Sequence, residues 1–199
     1  MNYPKFYDEV ETIKVEDKLS NVLCTFHNGE YEFNYIDVVK SAGHSCPTVA
    51  GAYLMTQEAL KTLYPTSRAV RGDIKVEFKE DLEDGVAGVI ANVISQITGA
   101  TDKSGFKGLN GKFARHSLMD FNSSIDCSAR FTRIDTNESI DIIYNPTSVK
   151  PNPNMQPLMQ KMMKGSASKD EIQEFGKLWQ DRVQRIFENY NSVIDITKA

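Results

Sequence analysis

His44 and Cys46 stand two residues apart, directly before Pro47 and an amphipathic run. A cysteine at the first turn of a helix lies among unpaired backbone amides and at the positive end of the helix dipole, which both favour thiolate over thiol. Thiolate with imidazole is a ligand pair that zinc prefers and that iron or nickel accepts. The stretch therefore predicts a small preformed site for a divalent transition metal, with zinc first and iron or nickel as alternatives.

Further ligands are needed, because the His-x-Cys pair alone also fits a buried packing cysteine beside a capping histidine. His27, in TFHNGE, and His116, in FARHSLM, are the candidates, and water or a substrate could complete the shell. Cys24 and Cys127 lie in apolar, strand-like surroundings, so we expect them to be packing residues rather than ligands.

Two other functions are open to the same residues. In a thiol-dependent enzyme, Cys46 would attack a substrate and His44 would act as its base. In a non-catalytic partner subunit, the His-x-Cys turn would be structural, and the chain would dock through a C-terminal hairpin that carries methionines and Trp179. The sequence leaves open whether the protein is an enzyme.

Two helices are predicted on either side of the His-x-Cys pair. The segment FNYIDVVKSAG has Asn34 as a cap and Gly43 as a stop, so a short helix ends beside the histidine. Pro47 suits the first turn of a second helix, in which apolar residues recur at helical spacing as far as Leu63.

The rest of the core reads as strands with one more helix. RGDIKVEFKE alternates like a half-buried strand, and a third helix is predicted from about residue 84 to Gly99. KFARHSLMDF, DCSARFTRID and ESIDIIYN predict three consecutive strands that pair antiparallel in sequence order. The predicted fold class is α+β, with an antiparallel sheet packed by helices.

A stiff connector at residues 145–154 contains three prolines and marks a predicted boundary. We therefore expect a core domain at 1–150 and a C-terminal helical hairpin at 151–199. The longer helix of the hairpin starts with the capping box SKDE and presents Trp179 and Val183 on one stripe. That stripe packs on the protein's own core or on another subunit; the sequence leaves both open.

Composition restricts the partners. The net charge is -4 and the charges are interleaved, so no basic face is predicted for nucleic acid. No run of 18 apolar residues and no secretory pattern are seen, so we expect a cytoplasmic protein that does not bind a membrane. Three cysteines without a CxxC pair argue against a disulfide framework.

A glycine-rich loop is predicted at residues 98–112, which hold four glycines and no apolar period. Its backbone amides and its lysines, Lys103, Lys107 and Lys112, could approach an anion. A solvated lysine-rich loop is the alternative.

Two of these segments resemble the FmdE family, which takes its name from one of the subunits of formylmethanofuran dehydrogenase. GHSCPTVAGAYLMTQEAL, residues 43–60, is similar to the family's GHxCPG...G motif and the helix after it. VISQITGATDKSGFKGLNGKFA, residues 93–114, is similar to its second signature, a helix ending in TG, a glycine-rich loop and a GK. The resemblance implies an α+β core, a homodimer, and a metal site at His44 and Cys46 with a small-molecule or metallocofactor ligand.

The chain also departs from the family pattern. Many members have histidine at Ala42, cysteine near Val89, aspartate near Asn92 and cysteine at Ala100, and many carry a C-terminal zinc finger that this chain lacks. Asn92 could still orient a cofactor by hydrogen bonding. Lys112 matches the family's GK and is the lysine that we expect to contact an anionic group of the cofactor.

Overall fold

The structure is a computed structural model and describes residues 2–199. Six helices lie in this range: α1 Lys18–Val22, α2 Tyr35–Ala42, α3 Pro47–Leu63, α4 Ala87–Thr98, α5 Met155–Met163 and α6 Lys169–Glu188. The strands are β1 Ile13–Glu16, β2 Glu30–Phe33, β3 Ala69–Val70, β4 Ile74–Phe78, β5 Met119–Asp120, β6 Ala129–Arg133, β7 Ser139–Tyr144 and β8 Ile194–Lys198.

The strands form two mixed sheets, and the predicted α+β class is confirmed. A three-stranded sheet has the order β2-β1-β3, and a five-stranded sheet has the order β5-β4-β6-β7-β8. Each sheet has one parallel pair: Val15 of β1 lies opposite Ala69 of β3, and Val76 of β4 lies opposite Met119 of β5. All other pairs are antiparallel.

The prediction of three consecutive antiparallel strands is wrong for the first of them. Within residues 112–121 only Met119–Asp120 are extended, and they pair in parallel with β4 instead of antiparallel with β6. The preceding residues bond back to the start of the glycine-rich loop, with the amide of Thr101 donating to the carbonyl of Arg115 at 3.0 Å. The other two strands pair as predicted, around a turn in which Asn137 has a φ of 57°.

The helix boundaries agree with their local signals. Asn34 and Asp37 form a capping box at the start of α2, and α3 has the predicted bounds. The third helix begins at Ala87, later than predicted, because Gly85 has a φ of 51°, which a right-handed helix does not contain. It ends before Gly99, as predicted.

Helix α3 is the centre of the core and is buried on nearly all sides. Its fully buried side chains include Val49, Tyr53 and Met55, and it packs against α4 and β7. Because Cys46 lies directly before this helix, a densely packed element fixes its position.

The predicted hairpin is present as α5 and α6, and α6 packs on the chain's own core. Val183 and Ile186 are fully buried there, and Trp179 is half-buried against the same cluster. After α6 the chain adds β8 to the large sheet, with Ile142 of β7 opposite Ile196. The sequence analysis did not predict this strand. None of the helices in residues 2–199 has the length and apolar character needed to cross a bilayer.

Candidate functional site

The His-x-Cys turn connects α2 to α3. Helix α2 ends at Gly43, whose φ of 76° lies in the left-handed region that glycine enters without a steric penalty. Cys46 is the extended residue before α3, with φ −149° and ψ 169°, and Pro47 fills the first helical position. Both predicted helices therefore meet at this turn.

The sulfur of Cys46 caps the central helix. Its Sγ accepts the backbone N–H of Val49 at 3.4 Å, a geometry in which the sulfur replaces the oxygen of a usual N-cap side chain. Cys46 is 9% exposed and belongs to the hydrophobic core cluster. The side chain is therefore largely shielded from solvent.

The ring of His44 is exposed, and one of its nitrogens has a partner. Its Nδ1 lies 3.0 Å from the carbonyl oxygen of Ala42. Because a carbonyl oxygen only accepts, Nδ1 must carry the proton, and in the neutral ring Nε2 is then the nitrogen with a lone pair. Metal-binding histidines commonly have this arrangement, in which a carbonyl fixes the tautomer.

The backbone between the two residues is held by α6. The carbonyl of Ser45 accepts the indole N–H of Trp179 at 3.0 Å and the amide of Gln180 at 3.2 Å. The hydroxyl of Ser45 is bonded to the hydroxyl of Tyr35 at 2.8 Å, and Tyr7 donates to Gln180 at 3.0 Å. Ser45 itself is buried, so these bonds fix the turn without contacting solvent.

Tyr144 of β7 holds the turn from another side. Its hydroxyl donates to the carbonyl of Pro47 at 2.6 Å, and burial raises the pKa of this phenol, so it remains a donor at neutral pH. A cavity of about 440 Å³ lies beside this tyrosine and is also lined by Thr48 and Cys127.

The other predicted metal ligands lie elsewhere. His27 is exposed in a 3-10 turn before β2, and His116 is half-buried in the loop before β5, where its Nδ1 lies 3.0 Å from the hydroxyl of Ser117. Within residues 2–199, no three His, Cys, Asp or Glu side chains are grouped as a metal site would require. A closed four-ligand zinc site within this part of one chain therefore does not fit.

The two remaining cysteines differ from each other. Cys127 is buried, as expected, and burial followed by the charge of Asp141 raises the pKa of its thiol to about 11. Cys24 is exposed with a φ of 53°, so the expectation that it packs in the core is wrong. It follows α1 in a tight turn, and apolar neighbours in the sequence did not reveal that turn.

The two predicted cofactor-binding residues do not line a common cavity. Asn92 is exposed on α4; one turn further along this helix, Gln96 donates to the carbonyl of Asp37 in α2 at 3.3 Å. Lys112 is exposed and lines a cavity together with Arg71 and Arg115. The sequence analysis missed these two arginines, because Arg115 was assigned to a strand and its acidic partner is 98 residues away.

Comparison with known protein families gives one match. The family model described as "FmdE, Molybdenum formylmethanofuran dehydrogenase operon" matches residues 42–194. The match begins directly before the His-x-Cys turn and includes both helices of the C-terminal hairpin. No curated protein matches the chain. Since the family model covers well over half of the 199 residues, the chain belongs to the FmdE family.

Proposed function

We propose that this protein binds a metal or metallocofactor in a role related to formylmethanofuran dehydrogenase, with His44 and Cys46 as its two ligands. The observation that carries the proposal is the hydrogen bond from Nδ1 of His44 to the carbonyl of Ala42, which leaves Nε2 as the lone-pair nitrogen beside a cysteine-capped helix. A sulfur and an imidazole nitrogen are the donors that zinc prefers, with iron or nickel as alternatives.

Two protein ligands make this an open site. The remaining positions would be filled by water, by a substrate, or by groups from a second copy in a homodimer, because residues 2–199 of one chain supply no third donor beside this pair. When bound, the metal would supply a Lewis acid and a positive charge. The chain's own contribution is to hold the two donors: α6 fixes the Ser45 carbonyl between them, and Tyr144 fixes the carbonyl of Pro47.

Metal content of the purified protein tests the proposal. Wild type should contain close to one equivalent of one transition metal by elemental analysis, and Cys46→Ser should lose it. The fold should survive, because serine is itself a preferred N-cap residue and can accept the same Val49 amide. Cys127→Ser, at a buried cysteine outside the turn, is the matched control and should keep its metal.

The histidines provide a second matched set. His44→Gln should lower the metal content or the affinity for added zinc, whereas His27→Gln, at an equally exposed histidine, should not. Metal that stays bound in both Cys46→Ser and His44→Gln would refute the proposal. Analytical ultracentrifugation with and without metal then shows whether a second copy completes the site.

A further inference from the structure

A second pocket, remote in sequence from the His-x-Cys turn, is lined by basic side chains. It lies between the start of α1, the turn before β4 and the end of the glycine-rich loop, and has a volume of about 320 Å³. Its lining residues are Lys18, Arg71, Gly72, Asp73, Lys112, Phe113, Ala114 and Arg115.

The floor of the pocket is a buried charge cluster. Arg115, 7% exposed, donates from Nη2 to Asp17 at 2.7 Å, and Arg71 donates from Nη1 to the other oxygen of this carboxylate at 3.2 Å. The same carboxylate caps α1 by accepting the amides of Leu19 and Ser20. The hydroxyl of Tyr31 is a fifth, longer donor at 3.5 Å, so the acceptor capacity of Asp17 is filled.

The positive charges of the pocket exceed the negative ones. Two arginines and two lysines line it, whereas the carboxylates are Asp73, which pairs with Lys18, and Asp17 beneath the floor. An excess of two positive charges remains. Burial lowers the pKa of Arg115 and the nearby charge of Arg71 lowers it further, although Asp17 opposes both effects. One of these excess charges lies in the buried part of the cluster, formed by Arg71, Arg115 and Asp17, and the other is on the exposed Lys112. An anion in the pocket would stabilise the buried excess charge.

Arg115 also has hydrogen-bond donors left for such an anion. Within residues 2–199 its guanidinium bonds to a protein acceptor through Nη2 alone, which leaves the N–H groups on Nε and Nη1. Nη1 lies against the backbone of Gly72, only 1.3 Å from where a Cβ would stand. Gly72 has a φ of 89°, so this position needs glycine both for its backbone and for the approach of the arginine.

We propose that this pocket binds the phosphate group of a small phosphorylated molecule. A phosphomonoester carries close to two negative charges at neutral pH, which equals the excess in the pocket. Arginine presents paired N–H groups that match phosphate oxygens, and lysine adds a point charge. Arg115 forms the floor of the site, and Lys112 lies at its exposed rim. The inference does not depend on metal at the His-x-Cys turn.

Calorimetric titration at low ionic strength tests it, with glycerol 3-phosphate and inorganic phosphate as probes. Saturable binding of glycerol 3-phosphate is expected, and Lys112→Gln should weaken it about tenfold, the typical effect of one charged hydrogen bond. Lys107→Gln is the matched control, since Lys107 belongs to the same loop but does not line the pocket. Equal or tighter binding of inorganic phosphate would support the same site with free phosphate as its ligand.

A local readout makes the test independent of variants. The Nε–H resonance of Arg115 in a proton–nitrogen NMR spectrum should shift as glycerol 3-phosphate is added, and sodium chloride at the same ionic strength should not shift it. Two results would overturn the proposal: no saturable binding of either probe, or equal losses in Lys112→Gln and Lys107→Gln.

Discussion

Gly51 of α3 and the ring of Tyr144 lie so close together that no side chain fits between them. A Cβ on Gly51 would stand 2.2 Å from the tyrosine ring, far inside van der Waals contact. The glycine therefore allows Tyr144 to reach the carbonyl of Pro47 at the first turn of the central helix. Its presence inside a helix, where it costs about 1 kcal/mol relative to alanine, has a packing reason.

Gly51→Ala should lower the free energy of unfolding by about 2 kcal/mol, because overpacking displaces the tyrosine ring. Gly176→Ala is the matched control, since Gly176 also lies inside a helix but has nothing within 4 Å of its missing Cβ. That variant should gain up to about 1 kcal/mol from helix propensity. Urea unfolding measures both, and a stabilised Gly51→Ala would contradict the packing argument.

The hydrogen bonds from Trp179 and Gln180 to the carbonyl of Ser45 should contribute non-additively to stability. A carbonyl that loses one of two donors keeps a partner, whereas a buried carbonyl without any bears a desolvation cost. Trp179→Phe should cost about 1 kcal/mol, Gln180→Leu about 2 kcal/mol because it also removes the acceptor of Tyr7, and the double variant about 4 kcal/mol. A double-mutant cycle by urea unfolding measures the coupling. Strict additivity would show that the two bonds do not share the Ser45 carbonyl.

The cysteines should differ in reactivity. Iodoacetamide at pH 8 should modify Cys24 first, because it is exposed, while Cys46 and Cys127 are buried. The raised pKa of Cys127, about 11, slows its reaction further. Mass spectrometry of peptides over time identifies the order, and Cys24→Ser should remove the fast phase. If Cys46 reacts as fast as Cys24, that result would favour a thiol-dependent enzyme with Cys46 as nucleophile over a metal-binding protein.

Acid should destabilise the protein partly through Asp17. Burial alone would raise the pKa of this carboxyl, but Arg115, the Ser20 amide and Arg71 outweigh it and hold the pKa below its usual value. A folded pKa below the unfolded value of about 4 means that this stabilisation is complete above about pH 4 and is lost as the pH falls through the folded pKa.

Asp17→Asn should therefore cost about 3 kcal/mol at pH 7, because it leaves the buried guanidinium of Arg115 and the half-buried one of Arg71 without a counter-charge. The difference from wild type should shrink as the pH is lowered below about 4. Asp126→Asn, at an exposed ion pair with Lys79, should change stability by less than about 0.5 kcal/mol. A wild-type–variant difference that stays constant from pH 7 to pH 3 would exclude this role of Asp17.

Local signals in the sequence predicted much of the fold. The helices around the His-x-Cys turn were placed correctly, because their start and stop signals each involve only a few neighbouring residues. These signals are the capping box at Asn34, Gly43 at the end of α2 and Pro47 at the start of α3. The capping box of α6 at Ser168 was correct for the same reason. Such signals act between neighbours and do not depend on the rest of the chain.

Contacts between distant residues were not predictable in this way. The pairing of Asp17 with Arg115 joins residues 98 apart, and no local period reveals it. The same holds for the parallel pairing of β5 and for the presence of β8. Both strands pair with residues far away in the sequence, so local patterns do not reveal their partners. For the candidate site, the sequence indicated His44 and Cys46, but not that Trp179 and Gln180 would fix the turn between them.

The long sequence separation between Ser45 and Trp179 also affects how the chain folds during synthesis. The residues that immobilise the His-x-Cys turn are translated 134 positions after it, so a ribosome-bound chain exposes His44 and Cys46 long before their geometry is set. Contacts of such long sequence range form late in folding. Under the proposed metal-binding function, an ion held by the thiol and imidazole of the emerging chain would meet a flexible, unselective chelator, and discrimination between metals would begin only when the last long helix docks.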